Sequence, residues 1–517
     1  MFSFFKWKKE KNKPLTKQED EFAITIFASV EDNIKNIKNM FDSPSDLVIR
    51  RLSLGSRGHE CAFIYIDGLV NENLVNGLIK NTQFKMNQTN TIPTDPREIL
   101  VHLEQEVLSV QEIKKVSTLD DISLSILSGD TALFVEGTQT VLIIGSKGWE
   151  GRSVEEPITE ALVRGPREGF VENIRTNTAL IRRHVRDPNL RFETCKVGRR
   201  SKKDATIVYI KGVSNHEIVE EVKRRIATID MDDVPESGFV EQWIEDNFLS
   251  PFPQVQSTER PDKATAALVQ GRVIILLDGT PFVLIVPVAL INLLQSPEDY
   301  YERWMIGTLL RILRYTAAFV GLFLPSIYIA LVSFQPGMIP SKLAFSIAGT
   351  REGVPFPAVI EALMMEMTLE LLREAGIRLP KPIGQTIGIV GGLVIGQAAV
   401  SAGIVSPIMV IVVSITAIAN FALPTYSFGI SIRILRFFMM LASSIFGLYG
   451  VILAYIVINI HVANLKSFGV PYTTPFSPLF LSDWKDLLVR APLTMMNKRP
   501  EMFKTDDPIR QGKGDQS

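Results

Sequence analysis

Seven arginines crowd one stretch of this sequence: Arg164, Arg167, Arg175, Arg182, Arg183, Arg186 and Arg191. Guanidinium groups at this density can bind phosphates, lipid headgroups or an acidic partner, with Arg164, Arg167, Arg175, Arg182 and Arg183 as the candidate contacts. The same charges also suit a solvated face paired with Glu160, Glu168, Glu172 and Asp187. Phe170, Ile174 and Ile181 fall on one helical face, so the second part of the stretch reads as an amphipathic helix. A second group is Glu361, Glu366 and Glu370, acids that interrupt an otherwise apolar helix over residues 356–373. Acids at membrane depth are expensive and often functional. Lining an entrance, they would attract cations; on a surface helix they would face water.

Other chemistry is missing from the pattern. No nucleophile–base pair, metal cluster or phosphate-binding glycine loop is present, so the sequence does not read as an enzyme. Cys61 and Cys195 make neither a disulfide framework nor a zinc site, and the five histidines are scattered. No cofactor or metal is expected. Lys and Arg total 55 against 56 Asp and Glu, a balance that gives no bulk affinity for nucleic acid.

The elements that must position these groups include membrane helices. After Arg314 the next charged residue is Lys342, after Lys381 it is Arg433, and after Arg436 it is Lys466. A helix needs about 20 apolar residues to cross the hydrocarbon core. Crossings are therefore expected at 315–334, within 382–401, at 404–423 and over about 435–462. Residues 356–373 read as a re-entrant, interfacial or oligomer-buried helix. Arg303, Arg311 and Arg314 before the first crossing put the preceding region in the cytoplasm. Lys485, Arg490, Lys498 and Arg499 favour the cytoplasm for the tail as well, although a full crossing by 356–373 would count against it. The N-terminal MFSFFKWKKEKNK is basic without an apolar core, so it does not read as a cleaved signal peptide.

The segment from Pro382 divides into two faces. Gly384, Gly388, Gly391, Gly392 and Gly396 form a small-residue face for close helix packing. Ile387, Val390, Val394 and Gln397 lie opposite. Around an oligomer axis, that face could form an apolar constriction that gates by dewetting, wetted at one mouth by Gln397 and Ser401. An ordinary packed crossing with its other face in lipid fits the same pattern.

The soluble part carries a duplication. Tyr65-Ile66-x-Gly68 recurs as Tyr209-Ile210-x-Gly212, and Glu136-Gly137-Thr138 as Asp278-Gly279-Thr280, at offsets of 144 and 142 residues. Each unit reads as α/β, with β-branched runs, a helix such as 216–227, and an acid-Gly-Thr turn between apolar strands. The apolar run at 273–288 is therefore assigned to a buried hairpin rather than a crossing. The expected organisation is a basic tail (1–20), soluble α/β subdomains (21–150 and 151–300), an all-α polytopic membrane domain with four to six helices (301–465), and a tail with an amphipathic segment (466–517).

The strings EPITEALVRGPREGFVENIRTNTALIRRHVRDPNLRFE, DGTPFVLIVPV followed by SPEDYYERW, and GIVGGLVIGQAAVSAGIVSP resemble the A subunits of GerA-type spore germinant receptors of endospore-forming bacteria. The likeness covers nearly the whole chain after residue 20. It implies a multi-pass protein of the spore inner membrane, with its N-terminal region in the spore core. It also implies work beside a transporter-like, nutrient-binding B subunit and a lipoprotein C subunit. It implies further self-association, as a pentamer, into a nutrient-gated channel for monovalent cations that triggers germination. The family's pore lining carries over to Ile387, Val390 and Val394. A scaffold or signalling subunit without a pore and a secondary transporter are the competing readings. A transporter fits less well, because the duplication lies in the soluble part rather than in the helices.

Overall fold

The computed structural model describes residues 26–41, 47–54, 59–67, 69–88, 95–108, 112–148, 154–157, 159–378 and 394–511. The chain forms two compact units, Met1–Gly151 and Arg152–Ser517.

In the first unit, β1 (Leu47–Leu54), β2 (His59–Ile66), β3 (Ile113–Val116), β4 (Thr131–Val135) and β5 (Val141–Ile144) form an antiparallel sheet in the order β1-β2-β4-β5-β3. Side chains alternate across a strand, so β2 serves two cores. Cys61 and Phe63 point to α2 (Glu72–Gln88) and α3 (Pro96–His102). Ala62, Ile64 and Ile66 point to α1 (Val30–Phe41) and α4 (Leu119–Leu127).

The second unit repeats this plan. Its strands are β6 (Leu190–Val197), β7 (Lys203–Ile210), β8 (Gln256–Thr258), β9 (Val273–Leu277) and β10 (Val283–Val286), in the order β6-β7-β9-β10-β8. One face packs α5 (Ile174–His184) and α8 (Pro261–Val269); the other packs α6 (His216–Ile226) and α7 (Ser237–Ile244). The expected hairpin at 273–288 is β9–β10, and both strands are buried.

The duplication extends to individual hydrogen bonds. The Asn33 side chain closes a ring on Phe27, accepting its N–H at 2.9 Å and donating to its carbonyl at 2.7 Å. Asn177 closes the same ring on Val171, at 2.8 and 2.6 Å. Glu136, in the β4–β5 turn, accepts the Val30 N–H at 2.8 Å; Asp278, in the β9–β10 turn, accepts that of Ile174 at 3.2 Å. Each acid thus satisfies an orphan donor at a helix start and complements its dipole. The glycine after each acid has φ near +85°, which lets the hairpin turn without a Cβ clash.

The helical part follows α9 (Glu298–Tyr301). It comprises α10 (Trp304–Ser333), α11 (Ser341–Arg351), α12 (Ala358–Arg378), the helical residues 394–401 (α13), α14 (Pro407–Phe421) and α15 (Tyr426–Asn464). α10 and α15 are long and apolar enough to cross a membrane. α10 begins well before Tyr315, because its first turns lie on the α/β region rather than ending at it.

α15 is not one rod, and the single continuous helix expected over 435–462 is corrected here. Gly447 breaks the helix at φ 60° and ψ −140°. The Phe252 ring lies 6.4 Å from Phe428 and 6.2 Å from the His461 ring. A straight helix would hold those two residues about 50 Å apart at 1.5 Å per residue. Residues 426–446 and 448–464 are therefore antiparallel arms of a helical hairpin. A Cβ at Gly447 would sit 2.9 Å from Phe334 Cβ, so only glycine allows both the backbone angle and the approach of α10.

The chain after α15 packs back onto the α/β part of the second unit. β11 (Lys466–Ser467) and β12 (Val470–Pro471) form a small hairpin whose Phe468 and Val470 join the α6–α7 core. Tyr472 is buried and donates to the Pro253 carbonyl at 2.8 Å.

Candidate functional site

Two charge clusters inside the second unit are the strongest candidates. The first lies between α11, α12, α14 and α15. Glu361 and Glu366 are fully buried on α12. Glu361 accepts the Ser406 N–H at 2.8 Å and lies 2.9 Å from the Arg351 guanidinium. Glu366 pairs with Arg436 at 2.8 Å, and both are buried. Glu370 takes Arg373 at 2.8 Å, Arg433 at 3.0 Å and Arg436 at 3.6 Å.

The acids of this helix are thus matched by arginines of the same chain. A carboxylate removed from water demands such a partner, since its desolvation costs several kcal/mol. The match is incomplete in hydrogen-bond geometry. Nε and Nη1 of Arg436 and both Glu366 oxygens lack a hydrogen-bonding partner among the described residues. Arg433 and Arg436 read in sequence as charges flanking a crossing; only the fold brings them onto α12.

The second cluster joins α9, the root of α10 and the tail. Asp299 is wholly buried and accepts Arg311 Nε at 3.0 Å and Arg314 Nη1 at 2.5 Å. Arg311 Nη1 reaches across to Asp486 Oδ1 at 2.7 Å and to the Asp486 carbonyl at 2.8 Å. Tyr300 donates its hydroxyl to Asp486 at 2.6 Å. Burial and the adjacent Asp486 push the Tyr300 phenol well above its usual value, so it stays protonated and keeps donating. Arg490 lies over the Tyr300 ring and donates to the Glu302 carbonyl at 3.0 Å. These contacts tie α9 and the tail to the first turns of α10. Local patterning missed this cluster, because Arg311 and Arg314 look like flanking positive charges and Asp486 is remote in sequence.

The arginine-rich stretch is placed on the second unit's surface. Arg164, Arg167, Arg175, Arg182 and Arg183 are all exposed. Arg164 lies 4.0 Å from Glu302, Arg167 lies 3.9 Å from Glu156, and Arg183 bonds Glu168. Arg182 stacks on the Phe192 ring, 4.5 Å from its centre. The expected amphipathic helix is α5, capped by Asn173 and burying Ile174, Leu180 and Ile181.

Of the glycine-faced segment, Gly384, Ile387, Gly388, Val390, Gly391 and Gly392 lie outside the described residues, as does the basic tail 1–20. In α13, Gly396 is buried, and a Cβ there would stand 3.6 Å from Val410 Cγ1 of α14. Val394 and Gln397 are exposed in the single chain.

The sequence pattern of the family described as Bacillus/Clostridium GerA spore germination protein matches residues 35–502. The spore germination protein GerLA of Bacillus cereus is 50% identical over 475 residues, covering 92% of this chain and 95% of that protein. Spore germination protein A1 of Bacillus subtilis is 44% identical over 479 residues, covering 93% and 97%. The crystal structure of the N-terminal domain of the A subunit of the Bacillus megaterium spore germinant receptor GerK3 is 32% identical. It covers 52% of this chain and 98% of that one, with a TM-score of 0.21. With the family pattern running over most of its length and relatives matched almost end to end, the chain belongs to the GerA spore germination protein family.

Proposed function

We propose that this chain is the A subunit of a nutrient germinant receptor of the spore inner membrane, and that copies of it surround an axis to form a nutrient-gated cation pore. The observation that carries this reading is the two-sidedness of α13. Gly396 packs on α14, while Val394 and Gln397 on the same helix are exposed among the described residues. An oligomer axis beside that face would turn the Val394 level into an apolar ring and Gln397 into its wet mouth. In the sequence pattern, Ile387 and Val390 continue the Val394 and Gln397 face, opposite the glycines.

The topology that suits this role has six crossings: α10, α12, the segment ending in α13, α14, and the two arms of α15. Both ends of the α15 hairpin meet the α/β region. Thr425 donates to the Leu293 carbonyl at 2.8 Å, and His461 lies 2.9 Å from Ser250 Oγ. An even number of crossings returns the tail to the same side as the soluble region, in the spore core. That removes the conflict over the basic residues of the tail. In this reading the nutrient is sensed by a transporter-like B subunit with a lipoprotein C subunit beside it. The cluster at Asp299 passes the signal from the α/β subdomain to α10. Monovalent cations are the cargo, and the exposed arginines face headgroups or a partner subunit.

The test is ion flux through vesicles holding the assembled receptor, with and without nutrient. Flux that requires nutrient, and that Val394→Ala makes constitutive, supports the pore. Absence of flux with every subunit present and nutrient bound would favour a scaffold or signalling subunit.

A further inference from the structure

The loop between α7 and β8 carries two large apolar side chains into the open. Phe248 and Leu249 are each 78% exposed. The loop that presents them is not slack. Asn247 N–H donates to Gln254 Oε1 at 2.9 Å, Gln254 Nε2 returns to the Asn247 carbonyl at 2.7 Å, and Leu249 N–H donates to Asn247 Oδ1 at 3.0 Å. Its base is clamped to the root of α15. Ser250 meets His461 at 2.9 Å, Phe252 stacks on the same imidazole, and Asp246 accepts the Phe468 N–H at 2.8 Å.

The preceding helix shows the same division. α7 buries Ser237, Val240 and Ile244, and it leaves Phe239 and Trp243, one turn apart, 46% and 42% exposed. Four large apolar side chains within residues 239–249 thus expose surface that water solvates poorly, and apolar surface of this kind marks an interaction site.

What covers it follows from where it is held. His461 is within a turn of the end of α15 at Asn464, where the apolar arm meets the α/β region. The arm itself exposes Ile452, Tyr455, Ile456 and Ile460. The base of the loop is thus held at the end of an arm that, in the six-crossing reading, faces lipid. Lys466 is exposed just beyond the helix end, a cation at the level where phosphates lie. Aromatic rings beside a basic residue at the end of a crossing are the composition of a membrane–water interface.

We propose that Phe239, Trp243, Phe248 and Leu249 form an interfacial wedge that seats the second α/β subdomain in the headgroup layer of the bilayer. The wedge fixes the height and tilt of that subdomain over the helices, independently of the hydrogen bonds at Asp299. This inference rests on the membrane topology proposed above.

The test uses the full chain in vesicles containing anionic lipid, with Cys195→Ser to remove the half-buried thiol. Cys61 needs no change, since burial pushes its thiol up to about 12 and denies it to the label. An environment-sensitive fluorophore is placed at Leu249→Cys and, in a separate chain, at Ile456→Cys. Lipids bearing a nitroxide near the headgroup or deep in the acyl chain act as quenchers. The wedge predicts blue-shifted emission at position 249, quenched more by the shallow nitroxide than by the deep one. Position 456 should show the reverse order. Water-like, unquenched emission at 249 with normal quenching at 456 overturns the wedge and leaves the topology standing. Blue-shifted emission at 249 without lipid quenching means another protein surface covers the patch, and this also overturns it. Loss of quenching at 456 overturns the topology and the wedge together.

Discussion

Arg436 Nη2 and Glu366 Oε2 lie 2.8 Å apart, with neither side chain open to solvent. The pair bridges α12 and the first arm of α15, so one contact locks an acid helix that sequence leaves undecided. Removing one member strands a buried charge, at a cost of about 3–5 kcal/mol, whereas replacing both with apolar groups is often neutral. Glu366→Leu and Arg436→Leu should each lower the melting temperature in detergent sharply. The double substitution should recover most of the loss, although Glu370, 3.6 Å from Arg436, will keep part of it. Additive losses in the double variant would mean that the two residues act separately.

Asp299 anchors both arginines at the root of α10. Asp299→Ala leaves Arg314 buried without its carboxylate and Arg311 with Asp486 alone, which should cost about 3 kcal/mol or more. The informative measurement is nutrient-triggered ion release from spores at matched protein level. If the cluster couples the α/β subdomain to the helices, release slows or stops while the protein remains inserted. Normal release would show that coupling takes another route.

Gly396 faces α14 with room for one carbon, since a Cβ there would meet Val410 Cγ1 at 3.6 Å. Gly396→Ala should be tolerated or mildly stabilising, because alanine favours the helix by up to about 1 kcal/mol. Gly396→Leu should cost about 1–3 kcal/mol by overpacking. Detergent melts of the two variants separate these outcomes, and equal stability would place the packing face elsewhere.

On α7, burial together with Glu245 and Glu236 pushes the Glu241 carboxyl up from 4.5 to about 8. A carboxyl raised on folding favours the folded state when protonated. Its contribution is complete below about 4.5 and is lost as pH rises through about 8. Glu241→Gln keeps the shape without the proton. Its melting temperature should therefore fall less steeply than that of the natural chain between pH 5 and 8. Identical slopes would show that Glu241 is solvated in the folded protein.

Much of the fold is legible because its signals are local. The acid-Gly-Thr turns announce β4–β5 and β9–β10. The four-residue spacing of Ile218, Val222 and Ile226 announces α6, and the long gaps between charges announce the apolar helices. What local pattern does not carry is the partner at a distance. Glu361, Glu366 and Glu370 stand out in sequence, but most of the arginines that answer them come from two other elements, α11 and α15. Asp486 looks like one acid of an exposed tail until Arg311 is found beside it. Gly447 has the same difficulty, since a glycine in an apolar run ordinarily stays helical. Only the tertiary approach of Phe334 and the return to Phe252 give it away. The glycine-faced segment shows the opposite case, a distinct pattern whose use, in the proposed pore, depends on neighbouring copies.

The bond between Arg311 and Asp486 joins residues 175 positions apart, and the ribosome makes them in that order. α10 is therefore made with one guanidinium still awaiting its second carboxylate. That carboxylate emerges only after every other helix has been synthesised. The last stretch of the chain acts as a latch on α10, whose root completes its charge pairing only when synthesis is nearly done. A chain that stops before Asp486 would hold every α-helix described above and still lack that latch.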